Sequence, residues 1–169
     1  MARNIFEHSD VDPAVFSFQR ALARAKTMLA ESAIDPEKGF ADSYSKEEIA
    51  ADVAYVSRMK KKFNQLDKDD PGNQRLREHS EIAEALLFDQ SERNDWLGPY
   101  AFTIRPSDYD DIKNGVDLIV EFRDPQGVSY MALAIDVTFG GPQVGEKMGK
   151  IQEEIEAGTL TTIKYLKSN

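Results

Sequence analysis

Asp117 and Asp136 are the residues of this chain whose types and spacing point most directly to chemistry. Asp117 precedes the apolar run Leu118-Ile119-Val120, and Asp136 lies inside the run from Met131 to Phe139. A hairpin turn at Asp124-Pro125-Gln126-Gly127, centred on Pro125-Gln126, sets Asp117 opposite Ala134 and one diagonal away from Asp136, on the same face. Diagonal neighbours stand about 7–8 Å apart, so two carboxylates there converge on one hydrated divalent ion. An ionised aspartate flanked by Ile135 and Val137 is costly to desolvate unless a cation or a donor meets it. Taken singly, each also fits a plain role: Asp117 as a turn-end residue after Asn114-Gly115, Asp136 as a strand end at the solvent edge.

The elements that must position this pair follow from periodicity. Strands are expected at Tyr100–Arg105, Val116–Arg123 and Ser129–Thr138. Their alternation puts Leu118, Val120 and Phe122 with Leu133, Ile135 and Val137 on an apolar face. Asp117, Ile119 and Glu121 share the other face with Ala132, Ala134, Asp136 and Thr138, where acidic groups over small side chains leave room for a ligand. A helix from Gln143 to Ala157, stopped by Gly158, buries Val144, Met148, Ile151 and Ile155, and Thr161–Leu166 reads as a strand beyond it. A helix between the last strand and the meander allows parallel pairing through a right-handed crossover, hence a mixed sheet of about four strands. The terminal strand runs nearly to the last residue, which leaves a longer natural chain open.

Three helices come first. Asp12-Pro13 opens one that runs to about Ile34, with Val15, Phe18, Leu22, Ala25 and Leu29 at helical spacing. Ser45 and Glu48 form a capping-box pattern for the second, which carries Ile49, Val53, Val56 and Phe63 inward. After a loop at Asp67–Gly72, the third runs from about Asn73 to Gln90 and buries Leu76, Ile82, Ala83, Leu86 and Leu87. The organisation is an N-terminal helical region over 1–70 and a sheet-bearing core over 71–169, an α/β (α+β) class in which helices flank the sheet.

The 169 residues suit one domain with a helical annex, and 41% apolar content is enough to bury a core. A net charge of −9 argues against nonspecific coating of nucleic acid or anionic membrane, so any polyanion must meet a local basic patch. The absence of cysteine excludes thiolate sites, and with only His8 and His79 there are few options for a His-rich zinc site. No segment has the length of a signal peptide's apolar core or of a membrane span, and a cytoplasmic protein is the expectation.

Other motifs carry less. Gly145–Ile151 has one residue too few between glycines for a phosphate-binding loop, and Ile stands where a magnesium-binding hydroxyl belongs. Tyr109-Asp110-Asp111 reads as a turn cap, Arg58–Lys62 as cations at the end of the second helix, Trp96 and Phe102 as core, and His79 as a helix-face residue.

The order of a helix bearing Glu, a strand bearing Asp, a hairpin, a strand bearing a second acid, then a helix and a strand, resembles the PD-(D/E)XK nuclease-like superfamily over about residues 73–169. The resemblance implies a restriction-endonuclease-like fold and phosphodiester hydrolysis in DNA or RNA with magnesium or manganese. It assigns Asp117 and Asp136 to the two acidic positions and Glu84 to the helix acid, with Glu81 the alternate. Thr138 stands where the superfamily pattern has lysine. The resemblance then looks to the following helix, where Lys147 flanks the apolar stripe and Lys150 points farther outward. Either lysine also fits as a partner of Glu146, Glu153 or Glu154 on an exposed face. The implied roles are metal ligation by Asp117, Asp136 and Glu84, and positioning of water or charge neutralisation by Lys147. The alternatives are an inactive nuclease-like binding module, for which Thr138 speaks, and a protein-interaction domain or homodimer working through the N-terminal helices.

Overall fold

The computed structural model describes residues 13–123, 126, 130–137, 143–159 and 161–167. His8, Thr138 and most of the expected hairpin turn lie outside them. The elements are α1 (Pro13–Ser32), α2 (Lys46–Asp69), α3 (Pro71–Asn94), β1 (Ala101–Ile104), α4 (Asp108–Asn114), β2 (Leu118–Arg123), β3 (Tyr130–Ile135) and α5 (Gln143–Ala157).

Local chemistry sets the helix ends. Ser45 caps α2: its Oγ accepts from Glu48 N–H at 3.2 Å, and its own N–H donates to the Glu48 carboxylate at 2.9 Å. The expected loop after α2 shrinks to one residue. Asp70 closes α2 by donating its N–H to Leu66 C=O at 3.0 Å, and opens α3 by accepting from Gly72 N–H at 2.8 Å, with Pro71 in the first turn. Arg58–Lys62 therefore falls in mid-helix, where the macrodipole gives cations no advantage; Lys60 instead pairs with Asp108 at 2.5 Å.

Packing of α1 on α3 buries Leu29, Ala25 and Ala85, with Met28 and Ile82 against them. The inward face of α3 is rotated from the expected one. Leu76 and Leu86 are exposed, whereas Glu84, Ala85 and Ser91 are buried. Val15 and Val53 are likewise exposed, as is Trp96, while Phe102 lies 40% exposed beneath the Arg123 guanidinium, 4.4 Å from its ring centre.

The sheet is a three-stranded antiparallel β1-β2-β3, a mixed α+β architecture and not the expected mixed sheet of about four strands. β2 is central, and Leu118, Ile119, Val120 and Glu121 are all fully buried. Ile119, not Asp117, lies opposite Ala134. This shift of two residues preserves the faces, because side chains alternate with period two. Carried one pair past Leu118↔Ile135, the register brings Asp117 level with Asp136. The expected open acidic face exists only at that end, since Ile119 and Glu121 are sealed and the exposed small residues, Ala132 and Ala134, belong to β3.

The expected strand at 161–166 is an irregular segment docked elsewhere. Tyr165 is fully buried against Phe40 and Ile49, with Tyr44 and Tyr109 around it. Its backbone N–H and that of Lys164 donate to the Asp110 carboxylate at 3.0 and 2.7 Å, so a side chain replaces a strand neighbour. Tyr165 Oη and Lys164 Nζ both reach Asp52, at 2.7 and 2.6 Å. Asp110 belongs to α4, a short helix capped by Ser107 and ended by Gly115 at φ +68°, where a side chain would be strained. No described helix is long and apolar enough to cross a membrane.

Candidate functional site

Gly115 turns the chain out of α4, buried Val116 anchors it, and Asp117 follows at the mouth of β2, 8% exposed. There the ladder loses its regularity. Asp117 N–H donates to Ile135 C=O at 2.9 Å, while Asp117 Oδ2 accepts the Val137 N–H at 2.5 Å. The Asp117 carbonyl is taken by Arg105, whose Nη1 donates to it at 2.8 Å. Arg105 is itself buried and pairs through Nη2 with Asp111 Oδ2 at 2.7 Å. Burial works against its charge, but Asp111, Glu84 and Asp117 more than offset that and hold it protonated.

Glu84 reaches this centre from α3. Burial raises its carboxyl pKa to about 8, the negative charge of Asp117 pushes the same way, and Arg105 opposes both. Asp117 is raised to about 7, again chiefly by burial; the Val137 N–H opposes this, and the charges of Asp111 and Asp136 add to it. Glu81, the alternate helix acid, is engaged elsewhere, with Lys26 at 3.5 Å and Arg77 at 4.0 Å.

Asp136 follows β3, and Lys147 of α5 meets it: Nζ lies 2.8 Å from both carboxylate oxygens. Lys150 points away and pairs with Glu154 at 3.7 Å. The stripe expected to be buried beside Lys147 is open, with Val144 40%, Met148 61%, Ile151 44% and Ile155 64% exposed. Of the four residues singled out in the sequence, Asp117 and Asp136 lie just past the paired residues of β2 and β3, Lys147 of α5 contacts Asp136, and Glu84 of α3 feels the charge of Asp117. Glu84, Asp117 and Asp136 are linked through their fields, and Asp136 and Lys147 by contact.

Sequence reasoning missed Arg105 and Asp111. The signal for Arg105 was a charged residue closing an apolar strand just before Pro106. Asp111 reads in the sequence as part of a turn cap, a description that suits its neighbour Asp110, whose N–H donates to Ser107 Oγ at 3.1 Å.

The donor set is all oxygen, which suits a hard divalent cation such as Mg²⁺ better than a soft metal. Two carboxyls raised chiefly by burial, with neighbouring carboxylates adding to it, mark a place where positive charge is favourable. Among the described residues, however, no three carboxylate or imidazole groups already close around one point.

The raised Glu84 carboxyl has a consequence for stability without metal. The folded chain keeps a proton up to about pH 8 that the unfolded chain releases near its ordinary value of 4.5. Unfolded protein binds fewer protons in that window, so stability falls as pH rises through it. Urea denaturation in EDTA should therefore show a loss on the order of a few kcal/mol from pH 5 to 8.5. Glu84→Gln should flatten that slope; an unchanged slope would remove Glu84 from the buried centre.

The fold and the centre together define a mixed helix-and-sheet protein with buried Glu84 and Asp117, and exposed Asp136, near one sheet end. Comparison with protein-family models, with curated proteins and with solved structures finds no match to this chain.

Proposed function

We propose that this chain is a metal-dependent, nuclease-like protein that hydrolyses phosphodiester bonds in DNA or RNA on a restriction-endonuclease-like core. The observation that carries the reading is the run of neighbours from Glu84 through Asp117 to Asp136 and Lys147, the first two carboxyls raised and the third paired with the lysine, as suits acids set near a cation. Asp117, Asp136 and Glu84 would hold Mg²⁺ or Mn²⁺. When bound, such an ion lowers the pKa of water and offsets charge that develops on the phosphoryl group. Lys147, released from Asp136, is placed to orient that water or stabilise the developing oxyanion. Arg105 holds the Asp117 backbone, and Asp111 holds Arg105. With a net charge of −9, nucleic acid is bound weakly by the chain alone, and a protein partner or a longer parent chain supplies affinity.

One observation favours the inactive binding module as a second reading. Lys147 sits on both oxygens of Asp136, so an ion must displace an ammonium to use that ligand. Calorimetric titration with Mn²⁺ separates the two. The enzyme reading expects saturable binding to wild type and its loss in Asp136→Asn. No binding, together with capture of nucleic acid that is as tight in EDTA, favours the module.

A further inference from the structure

The apolar stripe of α5 is the largest feature that the proposed chemistry leaves unexplained. Val144, Met148, Ile151 and Ile155 follow a four-three-four spacing, the seam of a two-helix coiled coil, and all are exposed. Among the described residues α5 packs closely on no other helix or strand.

Its charges are arranged against its own interest. Lys147 and Lys150 outnumber Glu146 in the N-terminal half, while Glu153, Glu154 and Glu156 stand in the C-terminal half with no basic residue in the last turn. That order opposes the helix macrodipole and weakens an isolated helix. A second helix running antiparallel reverses the penalty, because it lays the acidic half of one copy beside the basic half of the other. On the helical wheel Lys147 and Glu154 flank the stripe on the same side, about 60° and 80° from Val144, where an antiparallel seam brings like flanks together. The other flank carries Gly145 and the uncharged Gln152, about 100° and 80° from Val144. In a parallel pair the Lys147 and Glu154 flank would instead meet the partner's opposite flank, which carries no charge.

We infer that this face binds a second copy of the chain, through an antiparallel α5–α5 seam in a two-fold symmetric dimer. Self-association is favoured over a foreign partner because the charge pattern of α5 is complementary to its own reversal, as a two-fold interface requires. The seam centres between Gly149 and Lys150, setting Val144 beside the partner's Ile155 and Met148 beside the partner's Ile151. The seam rests first on the apolar stripe, because Lys147 and Glu154 already pair with Asp136 and Lys150 within the chain and must exchange those partners to meet across it.

The absence of cysteine makes the test direct. Sedimentation should show a concentration-dependent species of twice 19.0 kDa for wild type, lost in Met148→Glu, with unchanged circular dichroism because the position is exposed. Val144→Cys mixed with Ile155→Cys should form an oxidised mixed dimer. Neither variant alone should crosslink, since each residue lies about 16 Å from its own copy along the seam, beyond the reach of a disulfide. Monomer at every concentration up to roughly 1 mM would overturn the inference, whatever foreign protein the stripe binds. Efficient self-crosslinking of either variant would overturn it too, by showing a parallel or unrelated contact.

Discussion

Asp110→Ala is expected to lower the unfolding free energy by roughly 3–5 kcal/mol, among the largest losses available from one substitution here. The side chain is fully buried, and its carboxylate accepts from Ser107 Oγ at 2.8 Å, Asn114 Nδ2 at 2.7 Å, and the N–H groups of Lys164 and Tyr165 at 2.7 and 3.0 Å. Truncation leaves those donors without their acceptor, and each buried orphan costs about 1–3 kcal/mol, reduced where water can enter. The two backbone bonds are also what hold the C-terminal segment, so Tyr165 should leave its place beside Phe40 and Ile49. Urea denaturation measures the loss, and faster proteolysis after Lys164 reports the detachment. Asp110→Asn should lose less, since it keeps one acceptor oxygen and the shape. A loss below about 1 kcal/mol in the alanine variant would mean that the carboxylate does not clasp the segment.

Lys147→Ala should reduce metal-dependent cleavage by about 10²–10³-fold, the usual effect of removing one preorganised electrostatic donor. The ammonium is already within 2.8 Å of Asp136, so it needs only a short movement to act on a phosphoryl oxygen or water beside the same carboxylate. Mn²⁺ binding should survive, as the same calorimetry would read, because the lysine is no ligand. Lys150→Ala is the control: its amine pairs with Glu154 on the outer face and should change cleavage little. Equal losses in the two variants would point to damage to α5 and not to chemistry.

How much of this was legible in the sequence depended on the range of the force involved. The Ser45–Glu48 cap and the span of α5 were readable because local hydrogen bonds and helical periodicity decide them. The faces of β2 and β3 were readable because a strand alternates, and an error of two residues in register leaves the alternation intact; Asp117 and Asp136 lie just past the paired residues. The C-terminal segment was not readable. Thr161–Leu166 has strand-like composition, but a carboxylate on a distant short helix and an aromatic pocket outcompete a strand edge for it. Leu76 and Leu86 misled because apolar periodicity cannot say which flank of a stripe faces a neighbour, and α3 turned enough to bury Glu84. Arg105 was invisible because its role depends on three carboxylates from other parts of the chain.

The central claim is that the acidic centre of Glu84, Asp117 and Asp136 performs metal-dependent phosphodiester hydrolysis. Its most direct test is incubation of the pure chain with single- and double-stranded DNA and RNA in Mn²⁺, beside matched samples in EDTA and with Asp117→Asn. The account predicts cleavage of at least one substrate by wild type in Mn²⁺, and none in EDTA or with the variant. Intact substrates throughout, or equal cleavage by wild type and Asp117→Asn, would contradict it.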